Sequence, residues 1–173
     1  MLTLISKRNV WQWLLAVCVL FVTNSCNDKD PYDVCSGYDY AAHDAADDTA
    51  IQDYIKSKNY TDVVKTSSGL YYQVLREGTG ATPTASQRVK VHYVGKLLPS
   101  EYIFDSSWNR GVPATFGVTE VIKGWTEGLQ LMHVGERVRL FIPSNLGYGC
   151  YGSYPTIPSG APLVFEVDLL EIL

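Results

Sequence analysis

The residues of this sequence best suited to chemistry are aromatic and apolar side chains set beside glycines and turns. Tyr93 is followed by Val94-Gly95, and Phe104 leads into Asp105-Ser106-Ser107. Val121-Ile122-Lys123-Gly124 runs into Trp125, Tyr148 stands between Gly147 and Gly149, and Phe165 lies in a late apolar alternation. Trp125 or Phe165 taken alone is most simply a core aromatic. Together the clusters describe a site that binds by shape and apolar contact. The usual catalytic constellations are missing: there is no GxSxG, no HExxH and no phosphate-cradling glycine loop. His92 falls on the polar side of its strand and His133 flanks a helix end, so neither a metal site nor a cofactor is expected.

The elements that must position these residues follow from periodicity. Leu70 to Leu75 reads as a strand. Val89, Val91 and Tyr93 alternate with Arg88, Lys90 and His92; Val138, Leu140 and Ile142 alternate with Arg137, Arg139 and Phe141; Leu163, Phe165, Val167 and Leu169 alternate with Val164, Glu166, Asp168 and Leu170. Thr115 to Val118 is a weaker strand. Trp125, Leu129 and Met132 fall at i, i+4 and i+7, one face of a short helix that Gly135 would stop. About five strands on one helix predict an α+β domain over residues 69–173, a curved antiparallel sheet wrapped around the helix. Upstream, Asp44 to Lys58 predicts a short helix capped by Asp47 or Asp48, with Ile51, Tyr54 and Ile55 on one face and Asn59 as its stop. Residues 44–68 are thus a short helix and linker, and residues 26–43 a polar tether.

The N-terminus has the composition of an address label. Lys7 and Arg8 precede an apolar run from Val10 to Val22, of signal-peptide length and short for a membrane span. The run ends in Thr23-Asn24-Ser25-Cys26, where a small residue before Cys resembles a bacterial lipoprotein cleavage signal, although Thr23 stands where Leu is usual. Residues 1–25 are therefore expected to be removed and Cys26 to carry a lipid; an ordinary secretory peptide is the alternative. The expected location is extracytoplasmic, anchored to a bacterial membrane. With Cys18 in the removed segment and Cys26 lipidated, Cys35 and Cys150 remain, either as a disulfide closing a loop of about 115 residues or as two free thiols. Their spacing has neither a CxxC redox pattern nor a zinc pattern.

The chain has 173 residues and a net charge of −4, which excludes a nucleic-acid surface built on a basic patch. The acidity is local. Residues 27–68 carry nine Asp against four Lys, whereas residues 69–173 carry nine acidic and eight basic residues. A nearly neutral C-terminal domain agrees with a ligand held by apolar contact. One short upstream helix leaves little to dimerise through, so a monomer is expected.

The order and spacing of Val91-His92-Tyr93-Val94-Gly95, Phe104-Asp105-Ser106-Ser107, Val121-Ile122-Lys123-Gly124-Trp125, Leu146-Gly147-Tyr148-Gly149, Ile157-Pro158 and Leu163-Val164-Phe165-Glu166-Val167 resemble the FKBP family of peptidyl-prolyl isomerases. The resemblance runs from about Gly69 to Leu173. It implies catalysis of cis-trans isomerisation at X-Pro bonds of proline-containing polypeptides, without a cofactor. It further implies that Trp125 is the floor of a prolyl pocket walled by Tyr93, Phe104, Val121, Ile122 and Phe165. Ile157 would overhang the rim, the Tyr148 hydroxyl and the Ile122 N–H would hold substrate carbonyls, and Asp105 would orient the polar edge near Tyr93. In the segment Gly111 to Phe116, Val112 or Pro113 would stand nearest the position of a further aromatic wall found in many eukaryotic members, implying a shallower pocket there. The competing reading is a lipid-anchored module that binds proline peptides or unfolded chains without turnover. A glycan-binding lipoprotein would need its aromatics exposed on one face, whereas Trp125 and Phe165 sit at core spacing.

Overall fold

The computed structural model describes residues 34–173. The apolar run of residues 10–22, the expected cleavage position and Cys26 lie outside the described residues, as does the expected tether before Val34. Seven strands form one antiparallel sheet: β1 (Val63–Lys65), β2 (Tyr71–Arg76), β3 (Arg88–Leu97), β4 (Ile103–Ser106), β5 (Ala114–Gly117), β6 (Arg137–Ile142) and β7 (Leu163–Ile172). Their order is β1-β2-β6-β7-β3-β4, with β5 also paired to β3. The helices are α1 (Tyr40–Ser57), the single turn α2 (Ser107–Arg110) and α3 (Lys123–Leu129). The expected α+β architecture is present, with β1, β4 and α2 in addition.

The alternation read from the sequence sorts the inner face correctly. Val89, Val91 and Tyr93 on β3, Val138, Leu140 and Ile142 on β6, and Leu163, Phe165, Val167 and Leu169 on β7 pack with Trp125, Leu129 and Met132. Gly124 and Gly128 let α3 sit close to the sheet: a Cβ there would meet Ile142 Cγ2 at 2.6 Å and Leu140 Cδ1 at 2.7 Å. The helix is shorter than expected, ending at Leu129 instead of running to Gly135. The N–H groups of Leu131 and Met132 bond back three residues, to Gly128 and Leu129. This tighter winding carries Met132 into the core from beyond the helix end.

The outer face is covered as well, by α1. Ile51 and Tyr54 pack with Tyr71, Leu98, Phe141 and Val164 in a second buried cluster. Burying side chains such as Ile51 and Phe141, both 0% exposed, contributes about 1.5–3 kcal/mol each. Where α1 does not reach, ion pairs cover the sheet: Arg139 Nη2 to Glu166 Oε1 at 2.7 Å and Arg76 Nη2 to Asp168 Oδ1 at 2.8 Å. Phe141 and Val164 are therefore core residues, although their strands' alternation assigns them to the polar side.

The start of α1 differs from the expected Asp44. The cap is Asp39, whose carboxylate accepts from the Ala42 N–H at 3.0 Å, and the helix starts at Tyr40. Asp47, 4% exposed, does not cap; it accepts from the Ser144 N–H at 2.7 Å and ties α1 to the turn after β6. Asp48 instead accepts from the Tyr71 hydroxyl at 2.6 Å. Of the two readings left open for Cys35 and Cys150, the structure has the disulfide, with Cα atoms 5.5 Å apart across a separation of 115. Among the described residues no helix is long and apolar enough to cross a membrane.

Candidate active site

A cleft of about 420 Å³ opens above α3, lined by Tyr93, Phe104, Asp105, Phe116, Glu120, Val121, Ile122, Trp125, Tyr148 and Phe165. It gathers residues from β3, β4, β5, β7, α3 and two loops, so no single segment could form it. Trp125 enters on the first turn of α3 and is 3% exposed. Three rings meet its indole nearly at right angles: Tyr93 with centroids 5.2 Å apart, Phe165 at 5.3 Å and Phe116 at 5.7 Å. Phe104 meets Phe165 in the same way at 5.5 Å. Edge-to-face packing of this kind is favoured by the ring quadrupoles and fixes each ring's orientation. The indole Nε1 is buried without a hydrogen-bond partner.

One edge of the cleft is polar. The Tyr93 hydroxyl donates to Asp105, Arg110 Nη1 bonds the same carboxylate, and Arg110 Nη2 donates to the Tyr93 oxygen at 2.9 Å. Arg110 reaches this position because Ser106 caps α2, accepting from the Asn109 N–H at 3.2 Å, and so turns the chain back after β4. Burial acts to raise the Asp105 carboxyl, but the bonds from Tyr93 and Arg110 outweigh it and hold Asp105 below the usual carboxylate range. Burial pushes the Tyr93 phenol up, assisted by its bond to Asp105. Tyr148 is likewise pushed up, by burial and by the nearby Asp105 charge.

These directions set a pH dependence. A carboxyl depressed by folding lends stability above its unfolded value near 3.9, lost only as pH falls through the lower folded value. A raised phenol stays protonated well beyond neutrality. Activity of the cleft should therefore be flat from about pH 5 to pH 9 as far as these three groups titrate. A pH profile with a midpoint near the ordinary histidine value of about 6.5 would place the controlling group elsewhere.

Eight of the sequence-derived candidates meet around this cleft: Tyr93, Phe104, Asp105, Val121, Ile122, Trp125, Tyr148 and Phe165. Ile157 does not line it. It is 5% exposed and packs in the core, and its backbone pairs with Ser153, closing the base of the loop instead of overhanging the rim. Phe116 of β5 lines the cleft, whereas Val112 and Pro113 do not; Val112 is 59% exposed. Phe116, Glu120 and Arg110 were missed. Phe116 is the one aromatic of the weak fifth strand, and Arg110 follows Asp105 by five residues with opposite charge; both were readable signals. Glu120 is fixed at the mouth, accepting from the Gly117 N–H at 2.9 Å and from Arg88 at 2.8 Å. The Ile122 carbonyl accepts from the N–H groups of Trp125 and Thr126, whereas its own N–H donates to no protein acceptor among the described residues.

Among the described residues no three His, Cys, Asp or Glu side chains converge as a metal site. His92 stacks on Trp108 with centroids 3.9 Å apart, and its Nδ1 lies 2.9 Å from Ser107 Oγ. His133 Nδ1 lies 3.1 Å from both Thr82 Oγ1 and the Gly80 carbonyl.

Comparison with known proteins gives the same picture. Residues 80–170 match the family model described as FKBP-type peptidyl-prolyl cis-trans isomerase. The chain is 48% identical over 134 residues to the FKBP-type peptidyl-prolyl cis-trans isomerase FkpA of Aeromonas hydrophila, covering 73% of this chain and 49% of that protein. It is 51% identical over 111 residues to the FKBP-type 22 kDa peptidyl-prolyl cis-trans isomerase of Escherichia coli strain K12, covering 64% and 53%. The crystal structure of FkpA from Escherichia coli superposes with a TM-score of 0.66 at 40% identity, covering 76% of this chain and 63% of that one. The chain spans about half the length of these curated relatives.

Proposed function

Because the chain belongs to the FKBP-type peptidyl-prolyl cis-trans isomerase family, we propose that its cleft accelerates rotation about X-Pro bonds of extracytoplasmic polypeptides and so assists their folding. The observation that carries this reading is the aromatic floor at Trp125 with a polar edge at Tyr148, Tyr93 and Asp105. The X-Pro barrier of roughly 18–20 kcal/mol arises from amide resonance, which places negative charge on the carbonyl oxygen. Water stabilises that planar, polar form. The twisted amide carries less charge on oxygen. A cleft that strips water from the prolyl amide therefore raises the planar state more than the twisted one, which is catalysis by differential binding. The rings of Trp125, Tyr93, Phe116 and Phe165 supply the water-free floor. The Tyr148 hydroxyl and the unpaired Ile122 N–H are suited to hold carbonyls flanking the proline. Asp105, held ionised by Arg110, fixes the Tyr93 ring through its hydroxyl. No acid, base or metal is required by this scheme.

Exchange NMR on a short X-Pro peptide tests the activity directly, since a module that only binds proline would broaden the peptide signals without speeding exchange. Tyr148→Phe should retain the fold and lose about 2- to 10-fold in kcat/KM through KM, the worth of about one neutral hydrogen bond. Unchanged kinetics in that variant would remove Tyr148 from substrate holding.

The N-terminal residues support secretion and lipidation at Cys26, with residues 69–173 as the isomerase domain. The Cys35–Cys150 disulfide supports an oxidising compartment, because such bonds persist mainly outside the cytosol. Mass spectrometry of the membrane-extracted protein should find a diacylglyceryl modification on Cys26 that Cys26→Ser abolishes. Sedimentation should return a monomer.

A further inference from the structure

The loop that carries Tyr148 is held from outside by Cys35 and Tyr38, just before α1, and by Tyr40 and His43 in its first turn. Cys150, two residues after Tyr148, is 4% exposed and joined to Cys35. The Tyr40 hydroxyl lies 3.2 Å from Cys150 Sγ, and the Tyr38 hydroxyl 3.4 Å from Ser144 Oγ. Tyr38 stacks on His43 with centroids 3.9 Å apart and planes within 9°. Both pack against Gly160 at the far end of the loop, where a Cβ would meet the Tyr38 oxygen at 2.9 Å and His43 Nδ1 at 3.2 Å. Gly160 in turn donates its N–H to the Gly149 carbonyl at 2.9 Å, closing the neck of the loop. The tip is free to water, with Tyr151 70% and Tyr154 96% exposed. The neck, and with it Tyr148, is thus gripped at both ends by residues 35–43.

We propose that the Cys35–Cys150 disulfide, with Tyr38, Tyr40 and His43, is a positioning clamp for Tyr148, so that substrate holding depends on the oxidised state of this cysteine pair. It rests on the isomerase reading above. A chain segment outside the isomerase sheet thereby becomes part of what sets substrate affinity. Reduction by a dithiol would transfer two electrons and two protons, breaking the S–S bond to give thiols at Cys35 and Cys150 and a disulfide on the reductant. Residues 35–38 are then held only by the weaker polar and ring contacts, and the Tyr148 hydroxyl samples positions away from the substrate carbonyl.

The test uses the oxidised protein, the same protein treated with dithiothreitol, the double variant Cys35→Ser/Cys150→Ser, and Tyr38→Ala/His43→Ala with the disulfide intact. Two readouts are taken: amide hydrogen exchange and peptide-isomerisation kinetics. Reduction and either double variant should speed exchange at the Gly152 and Gly160 amides by about 10-fold or more while leaving β6 and β7 amides unchanged. KM should rise by about 3- to 10-fold with kcat nearly constant. Exchange that accelerates equally across the sheet would make the disulfide a global staple and overturn the clamp, as would unaltered exchange at Gly152 and Gly160. An oxidised protein without turnover would refute the isomerase reading, while the exchange data would still decide whether the clamp exists.

Discussion

Trp125→Ala should abolish measurable isomerase turnover and lower the unfolding free energy by about 3–5 kcal/mol. The indole is 3% exposed and is the ring on which Tyr93, Phe116 and Phe165 converge, at 5.2, 5.7 and 5.3 Å. Its removal leaves a hole continuous with the cleft, so water enters where the prolyl amide should be dry. Those three rings lose the surface that fixes their tilt. Trp125→Phe separates the two effects. Because Nε1 has no protein partner, the phenyl ring forfeits no hydrogen bond within the protein, and its cost comes from lost volume and altered ring contacts. That variant should remain folded in urea titrations and keep part of the activity. Full activity in folded Trp125→Ala would mean that desolvation over the indole is not the source of catalysis.

Gly95→Ala should lower kcat/KM on the order of 100-fold, the scale reached when reacting groups are displaced by about 1 Å. Gly95 lies on β3, two residues after Tyr93, and its backbone pairs with Phe165 of β7. A Cβ at this position would meet Phe165 Cε1 at 2.5 Å and Phe104 Cζ at 2.7 Å. Neither contact is a flexible chain end. The two rings pack edge to face, so moving one displaces the other. Both line the cleft, and the added methyl therefore shifts its walls. The stability loss should be smaller, about 1–3 kcal/mol, as for overpacking generally. Wild-type kinetics in Gly95→Ala would show that the positions of Phe104 and Phe165 are not critical to substrate binding.

Both substitutions depend on relations that are only partly visible in the chain. The alternation of Val89, Val91 and Tyr93 fixes which side chains share a face, since a strand has a period of two whatever surrounds it. It says nothing about what covers the opposite face. Phe141 and Val164 are buried there only because Ile51 and Tyr54 of α1 lie over them. Three- and four-residue strands such as β1 and β4 are too short to show a period at all. They are recognisable only through their partners, Val63 opposite Gln73 and Asp105 opposite Gly95. The cap of α1 is ambiguous in the sequence for a related reason. Asp39, Asp47 and Asp48 are all chemically able to cap, and tertiary contacts with Ser144 and Tyr71 claim the latter two.

The sequence by itself determined the kind of fold, the inner face of the sheet and the aromatic clusters at Tyr93, Phe104, Trp125, Tyr148 and Phe165. Periodicity and glycine-flanked aromatics are local properties and survive in one dimension. The tertiary structure alone decided that Phe116 walls the cleft, that Arg110 grips Asp105, that Ile157 belongs to the core, and that Cys35 is bonded to Cys150. Each of these depends on the distance between segments far apart in the chain, or on the direction in which a short turn points a side chain. Such distances are set by the packing of the whole sheet around α3.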